Sequence, residues 1–394
     1  AVHDAYFETG IDCVETNTFG ANWSNLGDYG IEDRITELAQ AGAEIARASA
    51  EKFEAQDGRM RWVLGSMGPG TKLPSLGHTT YANLKATFAE QAVGLIRGGA
   101  DALLIETSQD LLQTKSAVNG CKQAIEEEGI KLPIFVEVTV ETTGTMLMGS
   151  EIGAALTTLE PLGIDMIGLN CATGPAEMSE HLRQLSKYST VPIMVMPNAG
   201  LPELTADGAR YPLGPEELAT AHEQFVKEFG LALVGGCCGT TPAHLKAVVD
   251  RVGGMKLTPR KPEHDAGVAS LYQHVPFTQD NAFLAIGERT NANGSKAFRE
   301  AMLEGRWDDC VDIARQQVRD GAHLLDVCVD YVGRDGTDDA REIVSRFASA
   351  STLPLVMDST EPAVLQAGME LIGGRPVINS VNFEDGDGAT SRFG

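Results

Sequence analysis

The chain lacks several features that would assign it to a membrane, to secretion or to nucleic acid. No run approaches the 18 or more apolar residues that a membrane span needs, and the first residues lack the basic and apolar regions of a signal peptide. Positive charge is scarce, with 31 Lys and Arg against 55 Asp and Glu. The net charge of −24 disfavours binding to nucleic acid or to anionic membrane surfaces. An initiator Met is also absent, so we expect the true start to lie upstream.

A disulfide framework is excluded by the cysteines, of which there are seven, spread over 394 residues without a secretory signal. A reducing, cytoplasmic setting is therefore expected. Cys237 and Cys238 are adjacent, and neighbouring Cα atoms lie about 3.8 Å apart. Unstrained disulfides need roughly 4.4–6.8 Å between Cα atoms, so this pair favours another role.

Length and pattern predict two α/β domains. A chain of 394 residues exceeds one typical domain, and 43 glycines suit many tight strand–helix turns. Seven apolar strands, each followed by a helix-like stretch, indicate a parallel sheet covered on both faces. We expect an eight-stranded (β/α)8 TIM barrel that lacks its first strand, with a doubly wound open sheet as the alternative. A doubly wound sheet that binds a dinucleotide has a glycine-rich loop after its first strand. The corresponding segment here, Thr18–Trp23, is not such a loop. The predicted strands are Ile11–Phe19, Arg61–Gly68, Ala102–Thr107, Pro133–Val140, Met166–Cys171, Ile193–Met196 and Leu231–Cys238.

Three cysteines lie at the carboxyl ends of two of these strands. Cys171 ends one apolar run, and Cys237 and Cys238 end another after a glycine pair that permits a sharp turn. Three thiolates at the carboxyl ends of strands would form a zinc site with its fourth position open, which is typical of catalytic zinc. The alternative is three reduced, buried thiols of the protein core.

Barrel enzymes carry their catalytic groups at the carboxyl ends of the strands. Two long connections at this edge, 141–150 and 199–214, are expected to act as lids. The other polar and glycine residues at these ends are Glu15, Thr16, Asn17, Ser66, Gly68, Glu106, Thr107, Thr139, Glu141 and Asn198.

A second domain is predicted to follow a linker. The boundaries are 1–253 for the first barrel, 254–281 for a proline-containing linker and 282–394 for the second domain. Leu271, Tyr272, Val275 and Phe277 are too apolar for a free tether. The second domain repeats the strand–helix pattern four times and is interpreted as the first half of another barrel. Its strand ends carry polar residues suited to a flat, polar heterocycle, namely Glu288, Asn291, Asp326, Asp330, Asp358, Asn379 and Ser380.

These motifs resemble a known pair of barrels. Glu15–Phe19, Leu104–Thr107, Gly168–Cys171, Pro197–Gly200 and Gly235–Gly239 are similar to the homocysteine-binding barrel of homocysteine methyltransferases. The segments Gly287–Asn291, Asp326–Asp330, Met357–Ser359 and Ile378–Ser380 resemble the pterin-binding barrel that follows it in the cobalamin-dependent methionine synthase family.

The resemblance implies that Cys171, Cys237 and Cys238 hold zinc and that the sulfur of homocysteine takes the open position. It implies that Glu106, Thr107, Asn198, Ser66 and Gly68 hold the amino-acid end of homocysteine. It also implies 5-methyltetrahydrofolate as the ultimate methyl donor, bound by the second barrel. Cobalamin would carry the methyl group on a domain of the same protein outside this chain.

Three departures from the family pattern accompany the resemblance. An Asp-Gly motif near the substrate is absent with the first strand, Cys328 stands where the family usually has Asn, and no cobalamin-binding region is present. The alternatives are a folate-independent homocysteine methyltransferase using betaine or a methylated sulfonium, a pterin enzyme of the dihydropteroate synthase kind, and a non-catalytic thiol module that stores metal.

Overall fold

A computed structural model of the chain describes residues 2–205, 208–381 and 386. The end of the predicted second domain, residues 382–385 and 387–394, lies outside the described residues. The chain divides into two compact units. The first comprises residues 1–73, 78–147 and 159–264, and the second comprises 74–77, 148–158 and 265–394.

Strands and helices alternate along the whole chain. Up to residue 264 the elements are α1 (Val2–Phe7), β1 (Cys13–Glu15), α2 (Trp23–Gly27), α3 (Ile35–Asp57), β2 (Trp62–Met67), α4 (Tyr81–Arg97), β3 (Ala102–Ser108), α5 (Leu111–Glu127), β4 (Ile134–Val138), α6 (Ile152–Leu159), β5 (Met166–Asn170), α7 (Pro175–Tyr188), β6 (Ile193–Met196), β7 (Glu203–Thr205), β8 (Gly208–Arg210), α8 (Pro215–Phe229), β9 (Leu233–Val234) and α9 (Pro242–Val252). Most of α6 belongs to the second unit. The remaining elements are β10 (Gly267–Ala269), β11 (His274–Pro276), β12 (Ile286–Gly287), α10 (Lys296–Leu303), α11 (Trp307–Arg319), β13 (Leu324–Val327), α12 (Gly336–Ala350), β14 (Leu355–Asp358), α13 (Pro362–Met369) and β15 (Val377–Asn379).

The sheet of the first unit has seven parallel strands in the order β1-β2-β3-β4-β5-β6-β9. The predicted α/β architecture of seven strand–helix units is confirmed. Strands β7 and β8 form a separate antiparallel hairpin, so β9 pairs directly with β6. Within the described residues, β1 and β9 have one neighbour each, and both line a cavity of about 2140 Å³. An eighth strand upstream of residue 1 stays a prediction.

Local signals set where the helices begin and end. The side chain of Thr80 accepts a hydrogen bond from the backbone of Asn83 at the start of α4, and Asp110 caps α5 in the same way. Helix α8 begins with Pro215 at a position where no N–H is needed. Helix α3 ends at Asp57 and is followed by Gly58, whose φ of +73° favours glycine.

The second unit contains a parallel sheet in the order β12-β13-β14-β15 and a β10–β11 hairpin. The hairpin lies in the stretch predicted as a linker, where Val268 and Val275 pack with Leu324 and Val356. Strand β12 covers only two residues, Ile286–Gly287. None of the helices within the described ranges is long and apolar enough to cross a membrane.

One face of the seven-stranded sheet points to the interior. A single apolar cluster takes at least one residue from each of the seven strands, including Cys13, Leu64, Phe135 and Leu233. Because side chains alternate along a strand, the residues two and four positions further on face the same interior. Polar side chains occupy many of these positions: Glu15, Ser66, Glu106, Glu137 and Asn170.

Glu137 is the most confined of these acids. It is fully buried on β4, and neither carboxylate oxygen has a hydrogen-bond partner among the described residues. Burial, followed by the charges of Glu15 and Glu106, raises its pKa well above the usual range. The uncharged carboxyl is therefore favoured in the folded chain.

We expect Glu137→Gln to stabilise the chain at neutral pH. A raised folded-state pKa means that the parental stability from this group is fully present below about pH 4 and falls as pH rises. Gln stays neutral, so its advantage should grow by at most about 1.4 kcal/mol per pH unit above that point. Urea unfolding between pH 4 and pH 8 measures this difference. Glu126→Gln, at an exposed position on α5, is the control. Equal pH profiles for the parental chain and Glu137→Gln would contradict the assignment of a neutral carboxyl.

Candidate functional site

Three sulfur atoms converge at the carboxyl edge of the seven-stranded sheet. Cys171 follows β5, and Cys237 and Cys238 follow β9. The Sγ atom of Cys238 lies 3.8 Å from that of Cys171 and 4.0 Å from that of Cys237. All three Sγ atoms lie within 4.8 Å of one another. Across the described ranges, no other group of His, Cys, Asp and Glu meets the same criterion. These residues are called the cysteine cluster below.

The backbone reaches this arrangement through unusual conformations. Cys171 and Ala172 have φ values of +60° and +55°, in the left-handed region that costs an L-residue free energy. Gly239 has a φ of +79°, and a Cβ atom there would lie 2.3 Å from the ring of Tyr211. Only glycine suits that position. The turns on both strands therefore depend on left-handed residues directly at or beside the cysteines.

The segment after β6 holds the Cys237–Cys238 turn by its peptide groups. The N–H of Cys237 donates to the carbonyl of Pro197 at 2.8 Å. The N–H of Cys238 donates to Oδ1 of Asn198 at 3.1 Å, and the N–H of Ala199 donates to the carbonyl of Cys238 at 2.9 Å. Asn198, a predicted homocysteine contact, is 2% exposed and bonds to Cys238. Asn198 therefore stabilises the backbone conformation of Cys238.

Hydrogen bonds within the cluster separate the acidities of its thiols. Bonds from the thiols of Cys171 and Cys237 lower the pKa of Cys238 far below its usual range, with a further contribution from the Tyr211 hydroxyl. Hydrogen bonds with the thiols of Cys171 and Cys238, followed by burial, raise the pKa of Cys237. The sulfur of Cys238 is the one at which negative charge is best stabilised.

The spacing of the sulfurs fits a tetrahedral metal ion. Zinc–sulfur bonds of about 2.3 Å in a tetrahedron separate the sulfur atoms by about 3.8 Å. The two distances from Cys238, 3.8 and 4.0 Å, are close to this value. Three soft thiolates are also the ligand type that selects zinc over magnesium or calcium. The cysteine cluster thus has the donors and the spacing to hold zinc.

A buried polar network adjoins the cysteine cluster. The hydroxyl of Ser66 donates to Oε1 of Glu106 at 2.5 Å, and Nδ2 of Asn170 lies 3.3 Å from Oε2 of the same carboxylate. Asn170 also bonds to the hydroxyl and N–H of Thr107, at 2.9 and 2.8 Å. Its Nδ2 lies 4.0 Å from Sγ of Cys237. The network therefore connects the Glu106 carboxylate to the cluster.

Asn170 was not among the candidates named from the sequence. It is 1% exposed and directly precedes Cys171 in the Gly-Leu-Asn-Cys motif, which is the signal that would have found it. Thr107, which it holds, has a φ of +55°, an unfavourable conformation for a β-branched residue. Gly68, a predicted homocysteine contact, packs against the ring of Phe19. A Cβ atom at residue 68 would lie 2.7 Å from that ring.

Burial changes the acidity of Glu106. Desolvation raises its pKa, although the hydrogen bond from Ser66 opposes the shift. The carboxyl is 5% exposed and has no basic side chain among its hydrogen-bond partners in the described ranges. A cationic group of a ligand would supply the missing counter-charge.

The second unit has a separate polar cluster at the ends of its strands. Nδ2 of Asn291 donates to Asp326 at 2.8 Å and to Asp358 at 3.1 Å. Asn379, at the end of β15, donates to the other oxygen of Asp358 at 2.9 Å. Desolvation raises the pKa values of both aspartates. Four predicted pterin contacts are therefore brought together.

The other three predicted pterin residues differ in their surroundings. The carboxylate of Asp330 accepts the Ser359 hydroxyl at 2.8 and 2.9 Å and the N–H of Thr360 at 3.2 Å, so it organises the loop after β14. Glu288 follows β12, with its Oε1 3.0 Å from where a Cβ of Gly294 would stand. Ser380 directly follows β15.

Cys328 occupies the position where the resembled family usually has Asn. It is 3% exposed, and its sulfur accepts a hydrogen bond from Asn293 at 3.5 Å. Burial raises its pKa to about 11, so the neutral thiol is favoured. A thiol offers weaker hydrogen bonds than an amide at this point.

Comparison with known proteins identifies two families. Residues 1–252 match the family model of homocysteine S-methyltransferases, and residues 287–393 match that of pterin-binding enzymes. The chain is 62% identical over 392 residues to methionine synthase of Mycobacterium tuberculosis. It is 60% identical over 397 residues to methionine synthase of Mycobacterium leprae. Both alignments cover the whole chain and 33% of the relative, so the chain spans a third of the length of these proteins.

A solved structure supports the fold assignment. The oxidized homocysteine methyltransferase MmuM of Escherichia coli aligns with a TM-score of 0.51 and 21% identity, covering 64% of this chain and 82% of the other. At this identity the likeness concerns the fold alone. The family model, in contrast, covers residues 1–252 of a 394-residue chain, which is well over half of it. The chain belongs to the homocysteine S-methyltransferase family.

Proposed function

We propose that this chain binds homocysteine and folate for a methyl transfer that converts homocysteine to methionine. The cysteine cluster would bind zinc, and the sulfur of homocysteine would take the remaining position on the zinc. The second unit would bind 5-methyltetrahydrofolate, the ultimate donor, and cobalamin bound outside this chain would carry the methyl group between them. The observation that carries the proposal is the convergence of three sulfurs within 4.8 Å beside a buried carboxylate. The match to both families and to methionine synthases supports it.

Homocysteine needs activation because a thiol with a pKa near 8.5 is mostly protonated at neutral pH. When bound, zinc would supply this by stabilising the sulfur as a thiolate nucleophile. Cys171, Cys237 and Cys238 would provide three of its ligands. The site needs these cysteines reduced, in keeping with the cytoplasmic location predicted from the sequence.

The residues around the cluster would orient the substrate. Glu106 would receive the ammonium group of homocysteine, which supplies the positive charge that the described surroundings of this carboxylate lack. Hydrogen bonds from Ser66 and Asn170 would fix the orientation of the Glu106 carboxylate, and Asn170 would also fix Thr107 through a hydrogen bond to its hydroxyl. Asn198 would act on Cys238, because its Oδ1 accepts the N–H of that residue.

The cluster in the second unit suits a pterin ring. Asn291, Asp326, Asp358 and Asn379 present amide and carboxyl groups in one hydrogen-bonded set. The raised pKa values of both aspartates favour carboxyls that can donate as well as accept. A pterin carries both hydrogen-bond donors and acceptors along its edge, and these four side chains would provide the matching acceptors and donors.

Replacement of Cys238 by Ser should abolish zinc retention and homocysteine methylation while the fold persists. A hydroxyl is a poor ligand for zinc, whereas the thiolate is one of its usual ligands. Elemental analysis after dialysis, with circular dichroism for the fold, measures the effect. Cys310→Ala, at a buried thiol on α11, is the control and should keep normal zinc. Normal metal content in Cys238→Ser would defeat the assignment.

Homocysteine binding should release close to one proton per site at pH 7. The free thiol is mostly protonated at that pH and would bind as a thiolate. Calorimetry in two buffers of different ionisation enthalpy measures the release. Methionine, which has no thiol proton, should release none. A module that only stores metal would release no proton with either compound.

Asp326→Asn should weaken the binding of 5-methyltetrahydrofolate by about 10–100-fold, as expected for loss of a hydrogen bond involving an ionisable group. The variant keeps the side-chain shape but alters the donor and acceptor pattern next to Asn291. Fluorescence titration of the folate measures the affinity. Asp312→Asn, on the exposed surface of α11, should bind normally. Unchanged affinity in Asp326→Asn would remove this residue from the proposed site.

A further inference from the structure

The backbone ladder beside the cysteine turn has a missing donor. The N–H of Gly235 donates to the carbonyl of Val195 at 3.0 Å, and the N–H of Cys237 donates to the carbonyl of Pro197 at 2.8 Å. In a parallel ladder, the carbonyl of Gly235 would accept the N–H of residue 197. Residue 197 is proline and has no N–H. The ladder therefore lacks one bond two residues before the first cysteine of the turn.

His222 supplies the donor that the proline lacks. It lies on α8 with no exposed surface, and its Nε2 atom is 2.7 Å from the carbonyl oxygen of Gly235. A carbonyl oxygen only accepts, so Nε2 carries the proton. The other ring nitrogen, Nδ1, has no hydrogen-bond partner among the described residues. Desolvation lowers the pKa of His222 to about 4, in keeping with a neutral ring.

This bond acts on the carbonyl of Gly235, which the ladder leaves without a donor. The peptide groups of Cys237 and Cys238 are held by Pro197, Asn198 and Ala199. All of these contacts come from the segment after β6. The bond from His222 comes from helix α8 and holds the Gly235 peptide, where the strand gives way to the turn.

We propose that His222 is a positioning residue for the cysteine cluster, replacing the hydrogen bond that Pro197 cannot donate. By fixing the carbonyl of Gly235, it sets the direction in which the chain enters the Cys237–Cys238 turn. This inference rests on the proposed zinc-binding role of the cluster. Partners that orient metal ligands typically contribute 10–100-fold to metal affinity.

The test compares two substitutions in the full chain. His222→Leu removes the donor and keeps an apolar side chain in the buried site, whereas His222→Gln retains an N–H donor near the position of Nε2. Zinc affinity is measured on the reduced protein by competition with a chromophoric chelator. We expect His222→Leu to bind zinc about 10–100-fold more weakly and His222→Gln to bind within about threefold of the parental chain. Equal affinity in His222→Leu, or equal losses in both variants, would overturn the proposal.

A matched control separates positioning from general stability. The hydroxyl of Ser186 donates to the carbonyl of Phe229 at 2.9 Å, which is also a side-chain bond to a backbone carbonyl in the first unit. Ser186→Ala should lower the unfolding temperature without changing zinc affinity. If it weakens zinc binding as much as His222→Leu, the effect reflects stability alone and the proposal fails.

Restoring the ladder donor tests the reason for the bond. Pro197→Ala returns an N–H to residue 197, so the double variant Pro197→Ala/His222→Leu should regain most of the zinc affinity lost in His222→Leu. A double variant as weak as His222→Leu would refute the role of the proline.

The tautomer of His222 provides a readout that does not require zinc. Nitrogen and carbon chemical shifts of the labelled parental chain should report the Nε2-protonated form of His222 at pH 7. This measurement uses no variant, so it can be made even if His222→Leu fails to fold. The Nδ1-protonated form would overturn the hydrogen bond. If the parental chain retains no zinc at all, the proposed function fails, and this readout still decides whether His222 holds Gly235.

Discussion

The structure of the candidate site depends on bringing three sulfur atoms together from two strands. Neighbouring cysteines on a regular strand point to opposite faces, so Cys237 and Cys238 can meet Cys171 only where the backbone leaves the ladder. The chain achieves this with left-handed residues at Cys171, Ala172 and Gly239. Such conformations are unfavourable by themselves and persist only where the surroundings impose them. At the Cys237–Cys238 turn these surroundings include the hydrogen bonds to Pro197, Asn198, Ala199 and His222. At Cys171 they include the bond from its N–H to the carbonyl of Met196.

The interior of the first unit combines this thiol-rich edge with buried acids. Glu106 and Glu137 lie on the interior face of the sheet, where desolvation raises both pKa values. Glu106 has hydrogen-bond partners in Ser66 and Asn170, whereas Glu137 has none among the described residues. If the cysteine cluster binds a metal ion as proposed, its thiolates can coexist with these acids, because buried acids are neutralised by protonation whereas metal-bound thiolates stay deprotonated.

The second unit also has a parallel sheet with polar side chains at the strand ends, but the side chains are of a different kind. Its strand ends carry carboxyl and amide groups, and its Cys328 is a buried neutral thiol hydrogen-bonded to Asn293. Asn291 bridges Asp326 and Asp358, so one amide sets the geometry of two acids from neighbouring strands. The proposed recognition of a planar ring would require such a fixed pattern of donors and acceptors, whereas the proposed zinc site would require soft ligands at a defined spacing.

The sequence by itself determined the alternation of seven strands and helices, and it placed Cys171, Cys237 and Cys238 at the ends of two of those strands. Periodicity is local, and the carboxyl ends of parallel strands share one edge, so the meeting of these residues was predictable. Only the tertiary structure decided which partners hold them. Glu203–Thr205 and Gly208–Arg210 pair with each other and not with the main sheet, so β9 lies beside β6. Asn198 thereby reaches Cys238, and His222 reaches the carbonyl opposite Pro197. The engagement of Asp330 with Ser359 and of Asn170 with Glu106 likewise depends on which strands become neighbours. Contacts between residues far apart in the chain follow from strand order and register, and neither is encoded in the spacing of any one motif.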